Sequence, residues 1–250
     1  MSQNIDQHFV RQYADNIMLL LEQKETKLRP FVTVEKDIKG VQKSVDRIGN
    51  VEAQVIDGRH GETPINDTPQ DRRWYTLRGY ETGDQIDDID VVRTLNDPTN
   101  SYVVKHAHAM ARAIDRSVIM PAFFGDVTTG VHAGGGTTSF PASQQIAVNF
   151  VESGSTQNSD LTVGKLRQAH ELLSAAEVPI EVGEIYIAVT SAQVHSLLQQ
   201  PELTNADFTA VRALQTGRVE SFLGFNFVKV EHLPTDGSGN RRIPVWHRSG

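Results

Sequence analysis

Residues 97–120 read DPTNSYVVKHAHAMARAIDRSVIM, and the class of fold turns on them. Asp97 stands where a helix N-cap is expected, and Pro98 falls at the first helical position, where its missing N–H costs nothing. Apolar groups then recur at Val103, Ala107, Met110, Ile114 and Val118, while Lys105, Arg112 and Arg116 occupy the other side. That spacing predicts one amphipathic helix. Pro121 is expected to stop it, because proline brings no N–H and crowds the preceding turn. At 1.5 Å per residue the helix is a rod of about 34 Å, long for a globular domain.

Toward the N-terminus the pattern loosens. Asp84, Asp87, Asp88 and Asp90 form an acidic run just before the helix. Before it, residues 49–82 hold several Gly, two Pro and little apolar periodicity. Two half-strands, VEAQVI and RRWYTLRGY, flank a turn-rich middle with GRHGETP and NDTP, which predicts a long extended hairpin. Such a hairpin is marginal alone and has to rest on a partner. Arg72, Arg73, Trp74 and Tyr75 cluster on its second strand. They read either as ordinary cross-strand packing or as an interface anchor, since Arg, Trp and Tyr are the types enriched there. The hairpin's shortage of other burial favours the anchor. Residues 31–48 are strand-like and basic, and residues 5–28 carry apolar groups at Phe9, Tyr13, Ile17, Leu20 and Leu21, a second amphipathic helix that Pro30 is expected to end.

Toward the C-terminus, residues 122–159 are loop and strand. They include GVHAGGGTTSF from Gly130 to Phe140, with SFPASQQIAVNF as an expected strand. Residues 160–250 alternate helix and strand: LTVGKLRQAHELLSAAEV, EIYIAVT, SAQVHSLLQQ with Ser191 as its cap, TNADFTAVRALQTG, FLGFNFVKVEHL as one central strand, and RRIPVWH. This half reads as a compact α/β unit.

The chemistry-bearing motifs are weak. Gly130-x4-Gly135 is followed by Gly136 and Thr137, so the lysine that a phosphate loop needs is missing. Gly134, Gly135 and Gly136 read better as a flexible loop. His106 and His108 are two residues apart on a helix and point to different faces, whereas helical metal pairs use i, i+4. The acidic run lacks calcium-loop spacing and reads as a solvated face or a partner for arginines. No G-x-S-x-G is present. No catalytic residue, cofactor or metal ligand is expected. The 250 residues contain no Cys, which excludes disulfides and thiol chemistry, and a net charge of −7 argues against general nucleic-acid binding. No apolar run reaches the ~18 residues of a membrane span, and the N-terminus lacks signal-peptide regions.

An extended hairpin, a long rod helix and an α/β unit without a site suit an assembly subunit better than an enzyme. In that order the parts resemble major capsid proteins of tailed phages with the Hong Kong 97-like fold. The resemblance is carried by FVRQYADNIMLLLEQKETKLR, by RRW with DQIDDIDVVRTLNDPTNSYV, by ARAIDRSVIMPAFFG, by LTVGKLRQAHELL, VTSAQVHSLL and DFTAVRALQTGRVESFLGFNF. It implies an α+β fold with an N-arm helix (1–30), a P-domain (31–45 and 84–159, spine helix about 97–120), an E-loop (46–83) and an A-domain (160–250). The implied function is self-assembly into pentamers and hexamers of an icosahedral head enclosing double-stranded DNA without tight specific binding. Scaffolding, portal and decoration proteins are the implied partners, and the virion capsid, after assembly in the host cytoplasm, is the implied location. Arg72 and Arg73 are expected to meet a neighbour's Asp84, Asp87 or Asp88. Residues 49–82 hold no Lys, so the isopeptide crosslink of some members is not expected. The family also usually returns a strand after the A-domain, whereas this sequence ends at HRSG. Two other readings stay open: an encapsulin-type nanocompartment shell, and a soluble α/β nucleotide-binding enzyme using the Gly130–Thr138 loop.

Overall fold

A computed structural model describes residues 22–36, 38–55, 65–85, 99–152, 154, 156–180, 183–200 and 221–249. In chain order these form β1 (Gln42–Ile48), β2 (Gln70–Thr76), α1 (Thr99–Ala113), a π-helical segment (Ile114–Ile119), α2 (Met120–Phe124), β3 (Val127–Thr129), β4 (Gly136–Thr138), α3 (Val163–Ala175), β5 (Ile185–Val189), α4 (Ser191–Leu198), β6 (Ser221–Phe222), β7 (Phe225–Lys229) and β8 (Val245–His247). The strands make two sheets, ordered β1-β2-β3-β4 and β6-β7-β5-β8.

The second sheet is the heart of the molecule. β5 lies parallel to β7 and antiparallel to β8. Because side chains alternate across a strand, β5 feeds two cores. Ile185, Ile187 and Val189 face one, with Leu166 and Ala169 of α3, Leu197 of α4 and Phe225 of β7. Ala188 faces the other, where Val228, Val230, Leu233 and Trp246 meet Met120 and Leu28. The second core joins the α/β unit to the end of the long helix, and its rings are in direct contact: Phe123 and Trp246 lie 4.6 Å apart between centroids, and Phe31 and Tyr186 4.7 Å apart.

Two details of this half differ from the sequence reading. FLGFNFVKVEHL is not one strand: Leu223 and Gly224 turn with φ of +50° and +79°, so β6 folds back on β7. Gly224 is required twice over, since a Cβ there would also sit 2.9 Å from Ile180 Cγ2. The cap of α4 is Thr190 rather than Ser191; its backbone N–H donates to Gln193 Oε1 at 2.9 Å, half of a capping box. The segment SFPASQQIAVNF, expected as a strand, holds only a 3-10 turn at Ala142–Gln144. It has no strand beside it; Lys165 Nζ holds the following loop by donating to the carbonyls of Val148 (2.8 Å), Ser159 (2.6 Å) and Asp160 (3.0 Å).

Helix continues from Thr99 through Phe124, past Pro121, where a stop was expected. The π segment explains how. Met120 N–H reaches back five residues to the Asp115 carbonyl, a wider turn that makes room for the proline ring. The Ser117 carbonyl, which loses its donor to Pro121, receives the Tyr80 hydroxyl at 3.4 Å. The predicted apolar stripe is not this helix's buried face: Val103 and Val118 are exposed, and Asp115 and Met120 are the buried residues. Residues 22–28 are not helical and lead into a 3-10 turn at Arg29–Phe31. The remainder of the expected N-terminal helix, the cap at Asp97–Pro98 and the helix expected over 204–217 lie outside the described residues.

Candidate assembly surface

The first sheet projects its surface instead of burying it. β1 and β2 pair antiparallel, Gln42 opposite Thr76 through Ile48 opposite Gln70. The first arm therefore starts at 42, upstream of the expected VEAQVI, whose described part has no strand assignment. Beyond the strands the arms stay side by side: Gly49 N–H donates to Pro69 O at 2.8 Å, and Asn66 Nδ2 donates to Glu52 O at 3.0 Å. Along the ladder, Arg72 grips Asp46 with Nε at 2.5 Å from Oδ1 and Nη2 at 2.9 Å from Oδ2. On the opposite face Arg47 Nη2 donates to Asp71 at 2.7 Å. These arginines hold both carboxyls below the ordinary aspartate range through hydrogen bonds. At the root, Glu35 accepts from Lys43 and Tyr75, which lowers its pKa.

Five of the seven predicted contact residues have a place among the described residues. Arg72 is committed to Asp46 within the chain. Arg73 stands 3.5 Å from Asp71, with an Nε that has no hydrogen-bond partner. Trp74 is half-buried, and its indole N–H donates to the Gly130 carbonyl at 2.8 Å. Tyr75 serves the root clamp. Asp84 pairs with His106 at 3.2 Å, while His106 also meets Thr82 at 2.9 Å. Asp87 and Asp88 lie outside the described residues.

The glycine loop is the turn between β3 and β4, which pair antiparallel and extend this sheet through β2. Gly130 and Gly134 have φ of +115° and +92°, and Gly136 already belongs to β4. Gly130 N–H donates to the Arg72 carbonyl at 3.2 Å, and Gly135 N–H to His132 O at 3.0 Å. A strand-to-strand turn pinned at its first glycine lacks the helix N-terminus that a dinucleotide or phosphate loop requires.

Sequence reasoning missed the contacts that fasten the segment before residue 30 to the long helix. Glu22 meets Lys105 at 2.8 Å, His108 at 3.1 Å and Arg112 at 2.5 Å. Those bonds, the Lys105 bond foremost, lower the Glu22 pKa to about 2. Buried Asp115 accepts from the backbone N–H of Lys27 (2.7 Å) and Leu28 (3.3 Å) and from Gln23 Nε2 (2.5 Å). The signal was present: Lys105, His108 and Arg112 fall at i, i+3 and i+7, one basic stripe that calls for a carboxylate.

Large apolar side chains are left in solvent along the hairpin, with Val55 90% and Ile65 97% exposed, and on α1 at Tyr102 and Val103. Among the described residues there is no group of three His, Cys, Asp or Glu side chains that could hold a metal ion, and no helix long and apolar enough to cross a membrane. Among the described residues this surface offers area for a protein partner.

Residues 5–250 match the family model described as phage capsid protein. The chain belongs to that family. The backbone agrees with solved shells. The capsid of Ralstonia phage GP4 superposes with a TM-score of 0.71 at 9% identity, over 97% of this chain and 80% of that one. The capsid of cyanophage P-SCSP1u gives 0.65 at 19% identity, over 100% and 80%, and the mature capsid of bacteriophage PhiM1 gives 0.63 at 15%, over 97% and 77%. No curated protein matches. The family assignment makes this a structural protein of a phage capsid and implies self-assembly into a shell and residence in the virion. Tailed-phage capsid protein, the resemblance drawn from the sequence, is the reading that stands.

Proposed function

We propose that this capsid protein builds an icosahedral head from pentamers and hexamers around double-stranded DNA, with the Hong Kong 97-like division of labour. In that reading residues 46–83 are the E-loop, the helix over 99–124 is the spine of a P-domain formed by 31–45 and 84–159, and 160–250 form the A-domain, with 1–30 as the N-arm. The observation that carries it is the exposed apolar surface on the hairpin and long helix, which a neighbouring subunit would bury. Family membership and the capsid folds of its structural neighbours support the same reading.

A head-to-tail contact repeated by rotation closes into rings, and an arm laid across a neighbour supplies the obligate interface of ~2,000 Å² or more that a stable shell needs. Arg73, whose side chain is 41% exposed and whose link to Asp71 is a loose 3.5 Å, is the arginine assigned to a neighbour's carboxylates at Asp84, Asp87 or Asp88, since Arg72 already serves Asp46. Trp74 and Tyr75 support that arm from within the chain, and the Gly134–Gly136 turn supplies slack between rings of five and six. Net charge of −7 suits a container that encloses DNA without gripping it. Scaffolding, portal and decoration proteins complete the assembly in the host cytoplasm. Without a lysine in residues 49–82, no crosslink forms from the E-loop.

Electron microscopy of the expressed protein tests this directly. Closed shells of uniform diameter with five- and six-fold clusters are the expected outcome. A soluble species that stays a monomer at high concentration, alone and with its scaffolding partner, would sink the reading.

A further inference from the structure

After β2 the chain leaves the hairpin and runs back along the long helix. Residues 77–85 form neither strand nor helix and are exposed. Leu77 N–H still donates to Val41 O, but past it no backbone hydrogen bond holds this stretch among the described residues. Side chains hold it instead, one at every second residue. The Tyr80 hydroxyl donates to the Ser117 carbonyl at 3.4 Å, Thr82 Oγ1 lies 2.9 Å from His106 Nδ1, and Asp84 Oδ2 lies 3.2 Å from His106 Nε2. The stretch is a strap, and two of its three fastenings meet on one imidazole ring.

An ionised carboxylate only accepts hydrogen bonds, so beside Asp84 the ring presents an N–H at Nε2. In the neutral imidazole this leaves Nδ1 as an acceptor, and the Thr82 hydroxyl donates to it. Protonation puts an N–H on both nitrogens. Thr82 then accepts instead of donating, and the Asp84 contact becomes a charge-assisted bond, roughly twice as strong as a neutral one. Histidine changes charge between about pH 5 and 8. The added hold is therefore complete below that window and is lost as pH rises through it. Asp84 is the carboxylate that faces the ring from the strap. On the ring's own helix Lys105, His108 and Arg112 are turned to Glu22 instead, at 2.8, 3.1 and 2.5 Å.

The geometry points to His106 as the positioning residue of this strap: one ring that ties Thr82 and Asp84 to the long helix and tightens its hold when it gains a proton. The strap belongs to the single subunit, and its consequence for assembly rests on the capsid reading above. The hairpin is steadied at Arg72, Arg73 and Trp74 by β3 and the turn after it. The strap adds a second hold at the end of β2. With both in place the hairpin meets a neighbour at one angle; a slack strap widens the range of angles open to it.

The test uses the full-length subunit. The chain has no Cys, so a pair can be introduced without competition. Glu81→Cys on the strap and Glu171→Cys on α3 replace exposed side chains and accept spin labels. The distribution of distances between the labels should be narrower at about pH 5.5 than at about pH 8, toward the two ends of the histidine range. His106→Ala should at least double its width at the lower pH and abolish the pH dependence. His106→Gln, whose amide can still donate to Asp84 and accept from Thr82, should recover most of the narrow distribution and remain insensitive to pH. Asp84→Asn should lose the pH response as well. A ring that only fills space would give no such contrast between Gln and Ala, and recovery by Gln shows that the Ala variant is not simply misfolded. Parental width in His106→Ala, a parental distribution that ignores pH, or an undiminished pH response in Asp84→Asn overturns the assignment. None of these readings needs a shell, so a subunit that never assembles would overturn the capsid reading and leave the strap standing, and a failed strap would leave the capsid reading intact.

Discussion

The two sheets of this capsid protein have the same number of strands and opposite energetics. In the second sheet β5 is covered on both faces, and Ile185, Val189 and Phe225 are wholly buried. The sheet stands on burial within one chain. In the first sheet two of the seven facing pairs across β1 and β2 join aspartate to arginine, and Val45 and Ile48 are exposed. That sheet holds its shape by ladder hydrogen bonds and ion pairs, and in the proposed reading a neighbour supplies the burial it lacks.

If that division is right, the same type of substitution should behave differently in the two sheets. Phe225→Ala should have the largest effect on the isolated subunit. Removing a fully buried ring typically costs about 3–5 kcal/mol, seen as a lower denaturant midpoint. Ile65→Ala, at a side chain 97% exposed, should leave that midpoint within about 0.5 kcal/mol and lower shell yield instead. Equal destabilisation by both would erase the distinction between the sheets.

The junction between the halves should be nearly as sensitive. Asp115→Ala removes the acceptor of two backbone N–H groups and leaves them unpaired in a buried site, an expected loss of about 2–3 kcal/mol. Hydrogen exchange at Lys27 and Leu28 should speed up before that of β5. Unchanged protection at both amides would show that the segment is held by its apolar residues, Leu28 and Phe31, alone.

These sensitivities also show what could be read from the sequence. β5 was legible because EIYIAVT is apolar at every inward position on both faces, and the rod helix because its apolar period runs from Val103 to Val118, about four turns. The hairpin was legible as a type of structure but not in register: VEAQVI has the better strand composition, yet QKSVDRI is the stretch that pairs with QDRRWYT, with Asp46 opposite Arg72 and Arg47 opposite Asp71. The helix's apolar stripe misled, because it is exposed on the single chain while buried Asp115 does the joining. A carboxylate whose partners are backbone amides 87 and 88 residues away leaves no local trace. The hairpin and its Arg72, Arg73 and Trp74 cluster stood out by composition as candidates for an assembly surface.

Acid should loosen the Glu22 contact more selectively. The folded pKa of Glu22 is lowered to about 2 from an ordinary value of 4.5. A lowered carboxylate pKa means the folded form binds its proton less readily than the unfolded chain, so this contribution is complete above pH 4.5 and fades as pH falls toward 2. Glu22 is accessible to solvent, so the effect is small in stability and is best read locally. Limited proteolysis around residues 22–28 should accelerate between pH 4.5 and 2 in the wild type. In Glu22→Gln it should already be fast at neutral pH and change less over that range. Identical pH profiles for the two would remove Glu22 from the fastening of this segment.

The smallest effect should come from the best-formed ion pair of the exposed sheet. Arg72 and Asp46 make two hydrogen bonds in the bidentate geometry that strengthens such pairs. Both side chains are nevertheless open to water, 40% and 60% exposed, and solvent screens most of the Coulomb term. A double-mutant cycle with Arg72→Ala and Asp46→Ala in the free subunit should give only a small coupling, falling as salt is raised. In assembled shells the pair would be covered by a neighbour, and screening would weaken. The same cycle, read through shell dissociation by denaturant, should then give a larger coupling with less salt dependence. A coupling equal in subunit and shell would place this stretch of the ladder outside the interface.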